Sequence, residues 1–155
     1  MREIKAVIYD RDGVLTDFDM TEAASYFRGL LPISLDEMWM RWEALGGELG
    51  FPGSLTEEKA FFRRYWDDLA DDFGLDPDGR RKLHAYDYID CLVAYPDAVE
   101  SMSWSKSRDL RVGVLSNFAL ASLQPSLEAV GLARYVDAAC AATIIGVSKP
   151  YARAY

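Results

Sequence analysis

Residues 4–17 read IKAVIYDRDGVLTD, and this stretch decides the fold. Residues 4–9 form a short apolar run rich in β-branched and aromatic side chains, which is typical of a strand buried in a parallel sheet. The run ends at Asp10 and Asp12, and Gly13 follows where the chain must turn. We therefore expect a strand that carries two carboxylates at its carboxyl end.

Two further apolar runs follow much later in the chain. Residues 110–115 (LRVGVL) make a second strand candidate, and residues 135–142 (YVDAACAA) make a weaker third one. A helix is predicted between them over residues 122–130, ended by Gly131. Strand, helix and strand in this order indicate a right-handed parallel crossover.

Residues 18–94 differ from the rest of the chain in their sequence pattern, which predicts helices throughout and is rich in aromatic residues. The start of each helix is marked by a capping sequence: Ser34 with Glu37, Ser54 with Glu57, and Asp76 with Pro77. Two apolar stripes are expected to pack in a bundle: Met38, Trp39, Trp42 and Leu45, and then Phe62, Tyr65, Trp66, Leu69 and Phe73. The glycine-rich residues 46–53 (GGELGFPG) predict a flexible connection and a candidate lid or hinge.

The predicted class is α/β: a Rossmann-like parallel sheet core, incomplete at the C-terminus, with an inserted α-helical bundle cap. We assign residues 1–17 and 95–155 to the core and residues 18–94 to the cap.

Composition narrows the range of partners. The chain of 155 residues has a net charge of -8 and a pI near 4.6, so its field repels nucleic acid and anionic membrane surfaces. No apolar run approaches the roughly 20 residues that span a bilayer, and we expect a cytoplasmic protein. Cys91 and Cys140 lie far apart without CxxC spacing, so we expect buried or half-buried thiols rather than a disulfide or metal site.

The carboxyl ends of parallel strands share one edge of a sheet, where reactive groups gather. Asp10 and Asp12 follow the first run, Ser116 and Asn117 follow the second, and Lys149 follows the third. A phosphate would be repelled by the carboxylates by about 3 kcal/mol per pair of unit charges ~5 Å apart at an effective dielectric of ~20. The site therefore requires cations, which Lys149 and Mg²⁺ could supply.

Such a group of residues could transfer a phosphoryl group in two steps. One aspartate would accept it as an aspartyl-phosphate, and the other would protonate the leaving alcohol and then activate water. Ser116 and Asn117 could donate hydrogen bonds to the phosphoryl oxygens.

Three segments resemble the first three signatures of the haloacid dehalogenase-like (HAD) hydrolases: residues 9–17 (YDRDGVLTD), 113–117 (GVLSN) and 146–150 (GVSKP). The resemblance implies that Asp10 is the nucleophile and a metal ligand. It implies that Asp12 is the acid/base, whose backbone carbonyl also meets Mg²⁺, that Ser116 is the phosphate donor, and that Lys149 is the charge clamp. Family members that displace halide lack an acid/base aspartate, so the resemblance favours a phosphatase of small phosphomonoesters, with the cap choosing the substrate.

The fourth signature of the family, an acidic pair that completes the metal site, is not found before Tyr155. We therefore expect a chain that ends within the domain and leaves one edge of the first strand uncovered. Such a chain would bind Mg²⁺ poorly, turn over slowly and be prone to self-association through that edge, unless a partner chain completes the sheet.

Other functions remain open. A catalytically silent HAD-like fragment or binding module is the main alternative. A sugar-phosphate mutase is less favoured, because residues 18–23 lack a histidine and the only one, His84, is expected at the surface of a cap helix. A response-regulator receiver is disfavoured because its phosphorylated strand would fall in the helical residues 56–73.

Overall fold

The structure is a computed structural model that describes residues 3–155. In chain order its elements are β1 (Ala6–Tyr9), β2 (Thr16–Phe18), α1 (Met20–Phe27), α2 (Leu35–Leu49), α3 (Leu55–Asp72), α4 (Pro77–Ala85), β3 (Leu92–Ala94), α5 (Ala98–Ser107), β4 (Arg111–Ser116), α6 (Leu123–Ala129), β5 (Ala138–Ala141) and α7 (Ala142–Ile145). Short 3₁₀ turns lie at Tyr88–Cys91, Ala133–Tyr135 and Ala152–Ala154.

The main sheet has three parallel strands in the order β1-β4-β5, which confirms the predicted α/β class. Central β4 is the most buried, with Val112 and Val114 packed between α5 and α6 residues. The third strand is shorter than predicted, because the chain before it forms a 3₁₀ turn and Asp137 then accepts a hydrogen bond from the Val112 N–H. All three strands nevertheless end close to their predicted positions, so the residues that follow them lie at one edge of the sheet, as predicted.

Strand β1 lies at an edge of this sheet within the described residues. Its side chains alternate between half-buried and exposed, and Ile8 is 54% exposed. Self-association through this edge stays a prediction.

Helices α1 to α4 lie between β2 and β3, which pair antiparallel in the register Thr16 with Ala94. The helical segment thus leaves and rejoins the sheet through a two-stranded ribbon. The division into a core and a cap at residues 17 and 95 stays a prediction.

The predicted helix starts are confirmed by their caps. The side chain of Ser34 accepts the Glu37 N–H, that of Ser54 accepts the Glu57 N–H, and that of Asp76 accepts the Gly79 N–H. These bonds satisfy amides that a helix leaves free in its first turn.

The two predicted stripes are confirmed in large part. Tyr65, Trp66 and Leu69 are buried in the core of the helical segment with Met38 and Trp42. Trp39, however, is 57% exposed, so its assignment to the core is wrong. Its ring stacks on the outer side of Trp42, with 4.9 Å between ring centroids, because residue 39 lies about 100° around the helix from residue 38.

The prediction of a flexible connection over residues 46–53 is wrong for its first half. Helix α2 continues to Leu49, so Gly46 and Gly47 are helical and only residues 50–54 connect α2 to α3. This connection contacts α7, since Thr143 donates a hydrogen bond to the Pro52 carbonyl at 3.0 Å.

Of the two cysteines, Cys91 is buried and Cys140 is exposed, so the prediction for Cys140 is wrong; both are free. No helix among residues 3–155 combines the length and apolar character needed to cross a membrane.

Candidate active site

The loop after β1 presents Asp10 and Asp12 in a fixed conformation. The Arg11 carbonyl accepts hydrogen bonds from the N–H groups of Val14, Leu15 and Thr16, which folds the loop back on itself. Gly13 adopts a positive φ of 73°, a conformation that glycine adopts at no steric cost. The Arg11 N–H donates to Asp10 Oδ1 at 2.8 Å, so the backbone also orients the first carboxylate.

Asp10 and Lys149 form an ion pair at the carboxyl edge of the sheet. The Lys149 ammonium lies 2.7 Å from Asp10 Oδ1 and also donates to the Leu115 carbonyl at 2.7 Å. The lysine side chain is mostly buried, whereas the Asp10 carboxylate remains half open to solvent. A group that approaches Asp10 from solvent therefore meets a carboxylate with a fixed cation beside it.

Asp12 is held by the end of β4. Ser116 is buried, and its hydroxyl donates to Asp12 Oδ2 at 3.0 Å while accepting the Phe118 N–H at 3.1 Å. The serine thus touches the second aspartate, and its role as a phosphate donor stays a prediction.

Asn117 binds the main chain of Lys149 at both atoms of its side-chain amide, with distances of 3.1 and 2.7 Å. The structure therefore brings together all five residues predicted from the sequence: Asp10, Asp12, Ser116, Asn117 and Lys149. Their chemical roles stay predictions.

Sequence reasoning missed Arg11. This residue is buried, with 2% of its surface exposed, and its guanidinium donates from Nε and Nη2 to Asp12 Oδ1 at 3.0 and 2.7 Å. Its Nη1 donates to Ser126 Oγ at 2.7 Å, and its Cζ lies 3.7 Å from the centroid of the Phe118 ring. The sequence does contain a signal, because Arg11 lies between two aspartates at a strand end. Either carboxylate could pair with its charge if the side chain were buried.

A second buried polar group lies behind Phe118. Glu58 of α3 accepts hydrogen bonds from the N–H and the hydroxyl of Ser122, and the Tyr88 hydroxyl lies 2.6 Å from Ser122 Oγ. Burial raises the pKa of Glu58 despite the hydrogen bonds from Ser122. Burial also raises the pKa of Tyr88 to about 12. These groups join the helical segment to the start of α6.

The site offers carboxylate and carbonyl oxygens, which are the types of ligand that a hard divalent cation prefers. Within residues 3–155, Asp10 Oδ2 and the Asp12 backbone carbonyl accept no hydrogen bond, so both oxygens are free to bind a ligand. Mg²⁺ takes such oxygens and keeps several waters when few protein ligands are present. The described residues contain no group of three or more His, Cys, Asp or Glu side chains placed to hold a metal.

The fold and the site define a Rossmann-like α/β protein with an aspartate-lysine site at the carboxyl edge of its sheet. A family profile described as haloacid dehalogenase-like hydrolase matches residues 4–155. The chain belongs to this family of hydrolases.

A phosphatase with a similar sequence supports this assignment, and solved structures with a similar fold are also found. Phosphatase MT3486 of Mycobacterium tuberculosis (strain CDC 1551 / Oshkosh) is 36% identical over 158 residues, a match that covers 98% of this chain and 70% of that protein. Among solved structures, a dehalogenase superposes with a TM-score of 0.61 at 22% identity, over 100% of this chain and 70% of that one. A HAD phosphatase from Thermococcus onnurineus gives a TM-score of 0.54 at 22% identity, over 97% and 68% of the two chains. These two structures support the fold alone.

Proposed function

We propose that this chain is a Mg²⁺-dependent phosphohydrolase of small phosphomonoesters that forms an aspartyl-phosphate on Asp10. The observation that carries the proposal is the contact of 2.7 Å between the Lys149 ammonium and Asp10 Oδ1, with Asp12 held beside it. The similarity to a phosphatase at 36% identity supports the same reaction class.

In the first step, an oxygen of Asp10 attacks phosphorus and the bond from phosphorus to the leaving oxygen breaks. Asp12, in its protonated form, gives its proton to the leaving oxygen, so that a neutral alcohol departs. Lys149 offsets the charge that gathers on the phosphoryl oxygens. The carboxylate of Asp10 ends the step as an aspartyl-phosphate.

In the second step, Asp12 takes a proton from water while the water oxygen attacks phosphorus. The bond from phosphorus to Asp10 breaks, which releases inorganic phosphate and restores the carboxylate. A Mg²⁺ ion held by Asp10 and the Asp12 carbonyl would lower the repulsion between the carboxylates and the incoming dianion.

The choice of reaction class depends on Asp12. Halide leaves without a proton, so a dehalogenase has no use for an acid at this position. An alcohol leaves as a strong base unless it is protonated, so a phosphatase gains roughly 10²–10⁴-fold in rate from such a group. The presence of Asp12 therefore favours phosphoryl transfer over halide displacement.

The proposal is tested by assaying phosphate release from p-nitrophenyl phosphate and from small alkyl phosphates, with and without Mg²⁺. A 2-haloacid is assayed in parallel for halide release. We expect Mg²⁺-dependent phosphate release that Asp10→Asn abolishes and that Asp36→Asn, a change of an exposed carboxylate on α2, leaves intact. Phosphate release that is equal in the Asp10→Asn variant, or its complete absence from the wild-type chain, would refute the proposal.

A further inference from the structure

Arg11 is the most buried charged side chain near the site, with 2% of its surface exposed. Arginine is almost never fully buried unless it is paired, because removing its charge from water is costly. Here three of its contacts are polar, since Nε and Nη2 reach Asp12 Oδ1 and Nη1 reaches Ser126 Oγ. The burial of this charge therefore depends on Asp12.

The contact also fixes Asp12. Its side chain is 54% exposed and would be free to rotate if only solvent surrounded it. Two N–H groups of Arg11 hold Oδ1, and the hydroxyl of Ser116 holds Oδ2 at 3.0 Å. Oδ1 accepts both guanidinium N–H groups, so a proton on Asp12 would sit on Oδ2, and the Ser116 hydroxyl hydrogen, which can rotate, would then turn away from that oxygen.

The guanidinium has a rigid support of its own. Its Cζ lies 3.7 Å from the centre of the Phe118 ring, an arrangement that favours a cation over an aromatic face. The Phe118 ring contacts the Tyr88 ring at 5.8 Å between centroids, and the Tyr88 hydroxyl is hydrogen-bonded to the Ser122 hydroxyl. Arg11 is therefore held from α6 by Ser126 and from the helical segment through Tyr88.

We propose that Arg11 is a positioning residue for the reaction, which holds the Asp12 carboxylate where it can pass a proton to the leaving oxygen. This inference rests on the phosphatase function proposed above. Proton transfer requires heavy atoms within about 2.6–3.2 Å of each other. A misplacement of about 1 Å can cost ~10²-fold in rate.

The test compares Arg11→Met, Arg11→Lys and Ser126→Ala with the wild-type chain in first-turnover experiments. Two substrates are used: p-nitrophenyl phosphate, whose leaving group departs with little protonation, and glycerol phosphate, whose alkoxide requires a proton. Ser105→Ala serves as the matched control, because Ser105 is a buried serine that bonds to Tyr9 and not to Asp12. Thermal unfolding reports the folded fraction of every variant.

For Arg11→Met we expect release of glycerol in the first turnover to slow by ~10²-fold, with the substrate concentration for half-maximal rate little changed, and release of p-nitrophenolate to slow far less. Arg11→Lys should recover part of the loss, since lysine keeps the charge but not the planar pair of donors. Ser126→Ala should give a smaller loss in the same substrate-selective direction, and Ser105→Ala should behave as the wild-type chain.

Equal slowing of both substrates by the Arg11 variants and Ser126→Ala, or no slowing by any of them, would overturn the proposal while wild-type turnover still supports the phosphatase. A wild-type chain without Asp10-dependent turnover would instead overturn the proposed function, and the role of Arg11 with it.

Discussion

The side-chain amide of Asn117 binds the main chain of Lys149 at both of its ends. Its Nδ2 donates to the Lys149 carbonyl at 3.1 Å, and its Oδ1 accepts the Lys149 N–H at 2.7 Å. The end of β4 thereby holds the loop that carries the ammonium of Lys149 against Asp10. Both amide atoms are engaged, so we expect Asn117 to affect the site through the position of Lys149.

Asn117→Ala should lower kcat for phosphate release by about tenfold, because two hydrogen bonds worth roughly 0.5–1.5 kcal/mol each are lost from the lysine loop. Asn117→Asp keeps the acceptor for the Lys149 N–H but turns a carboxylate oxygen toward the Lys149 carbonyl, so it should lose at least as much. Steady-state kinetics of both variants on p-nitrophenyl phosphate provide the measurement. Full activity of Asn117→Ala would show that the loop holds Lys149 without this contact.

Gly46 and Gly47 should respond in opposite ways to alanine. A Cβ at Gly46 would lie 2.2 Å from the Phe51 ring, which packs on Trp42, whereas nothing lies within 4 Å of a Cβ at Gly47. Gly47→Ala should gain about 0.5–1 kcal/mol of stability, the usual helix preference. Gly46→Ala should lose about 1–3 kcal/mol through overpacking.

Urea unfolding of the two glycine variants under identical conditions gives the comparison. If Gly46→Ala is as stable as Gly47→Ala, the Phe51 ring moves aside without loss and does not restrict residue 46 to glycine.

Glu58 should make the fold less stable as pH rises. Burial raises its pKa above the ordinary value of 4.5, so the folded chain holds this proton more tightly than the unfolded chain. Between pH 4.5 and the raised pKa, the free energy of unfolding therefore falls with rising pH, and above that interval this contribution is constant. Glu58→Gln cannot ionise and should lack this component.

The check is the difference in unfolding free energy between wild type and Glu58→Gln, measured in urea from about pH 4 to 8. As pH rises from 4.5 to the raised pKa of Glu58, the wild type should lose stability relative to Glu58→Gln. Parallel curves over the whole range would mean that Glu58 gains no proton on folding.

Thr16 offers a stabilising change. Its hydroxyl is buried and has no hydrogen-bond partner among residues 3–155. Thr16→Val keeps the shape and the strand preference of the side chain, so it should gain about 1 kcal/mol. The matched change is Thr143→Val, which removes the hydroxyl bonded to the Pro52 carbonyl and should lose a similar amount. A loss in Thr16→Val would reveal a hydrogen bond made by its hydroxyl through water.

Most of the sheet and its site edge could be predicted from sequence, because strand ends are marked locally. The run before Asp10 and the run before Ser116 are apolar and stop at polar residues, and both strands end there in the structure. The polar residues after them meet at one edge because parallel strands share their carboxyl ends. Helix starts at Ser34, Ser54 and Asp76 were equally local, since a cap acts within one turn.

What the sequence did not predict depends on contacts between distant segments. Gly46 is expected to break a helix by propensity, but the ring of Phe51 occupies the space where a side chain would lie. From sequence alone Arg11 is expected to be solvent-exposed, and its burial depends on a hydrogen bond to Ser126 of the distant helix α6. The buried pair of Glu58 and Ser122 joins residues 64 positions apart. No local periodicity carries such information.

The central claim is that Asp10 accepts the phosphoryl group, and a reduction experiment tests it most directly. The chain is mixed with excess p-nitrophenyl phosphate and Mg²⁺, quenched in acid and treated with borohydride, which reduces an acyl phosphate to an alcohol and so converts aspartate to homoserine. Trypsin cleaves after Lys5 and Arg11, so residues 6–11 contain Asp10 and the next peptide begins at Asp12. We predict homoserine at position 10 in the wild-type chain and none in Asp10→Asn. Homoserine at position 12, or phosphate release without any reduced aspartate, would contradict the claim.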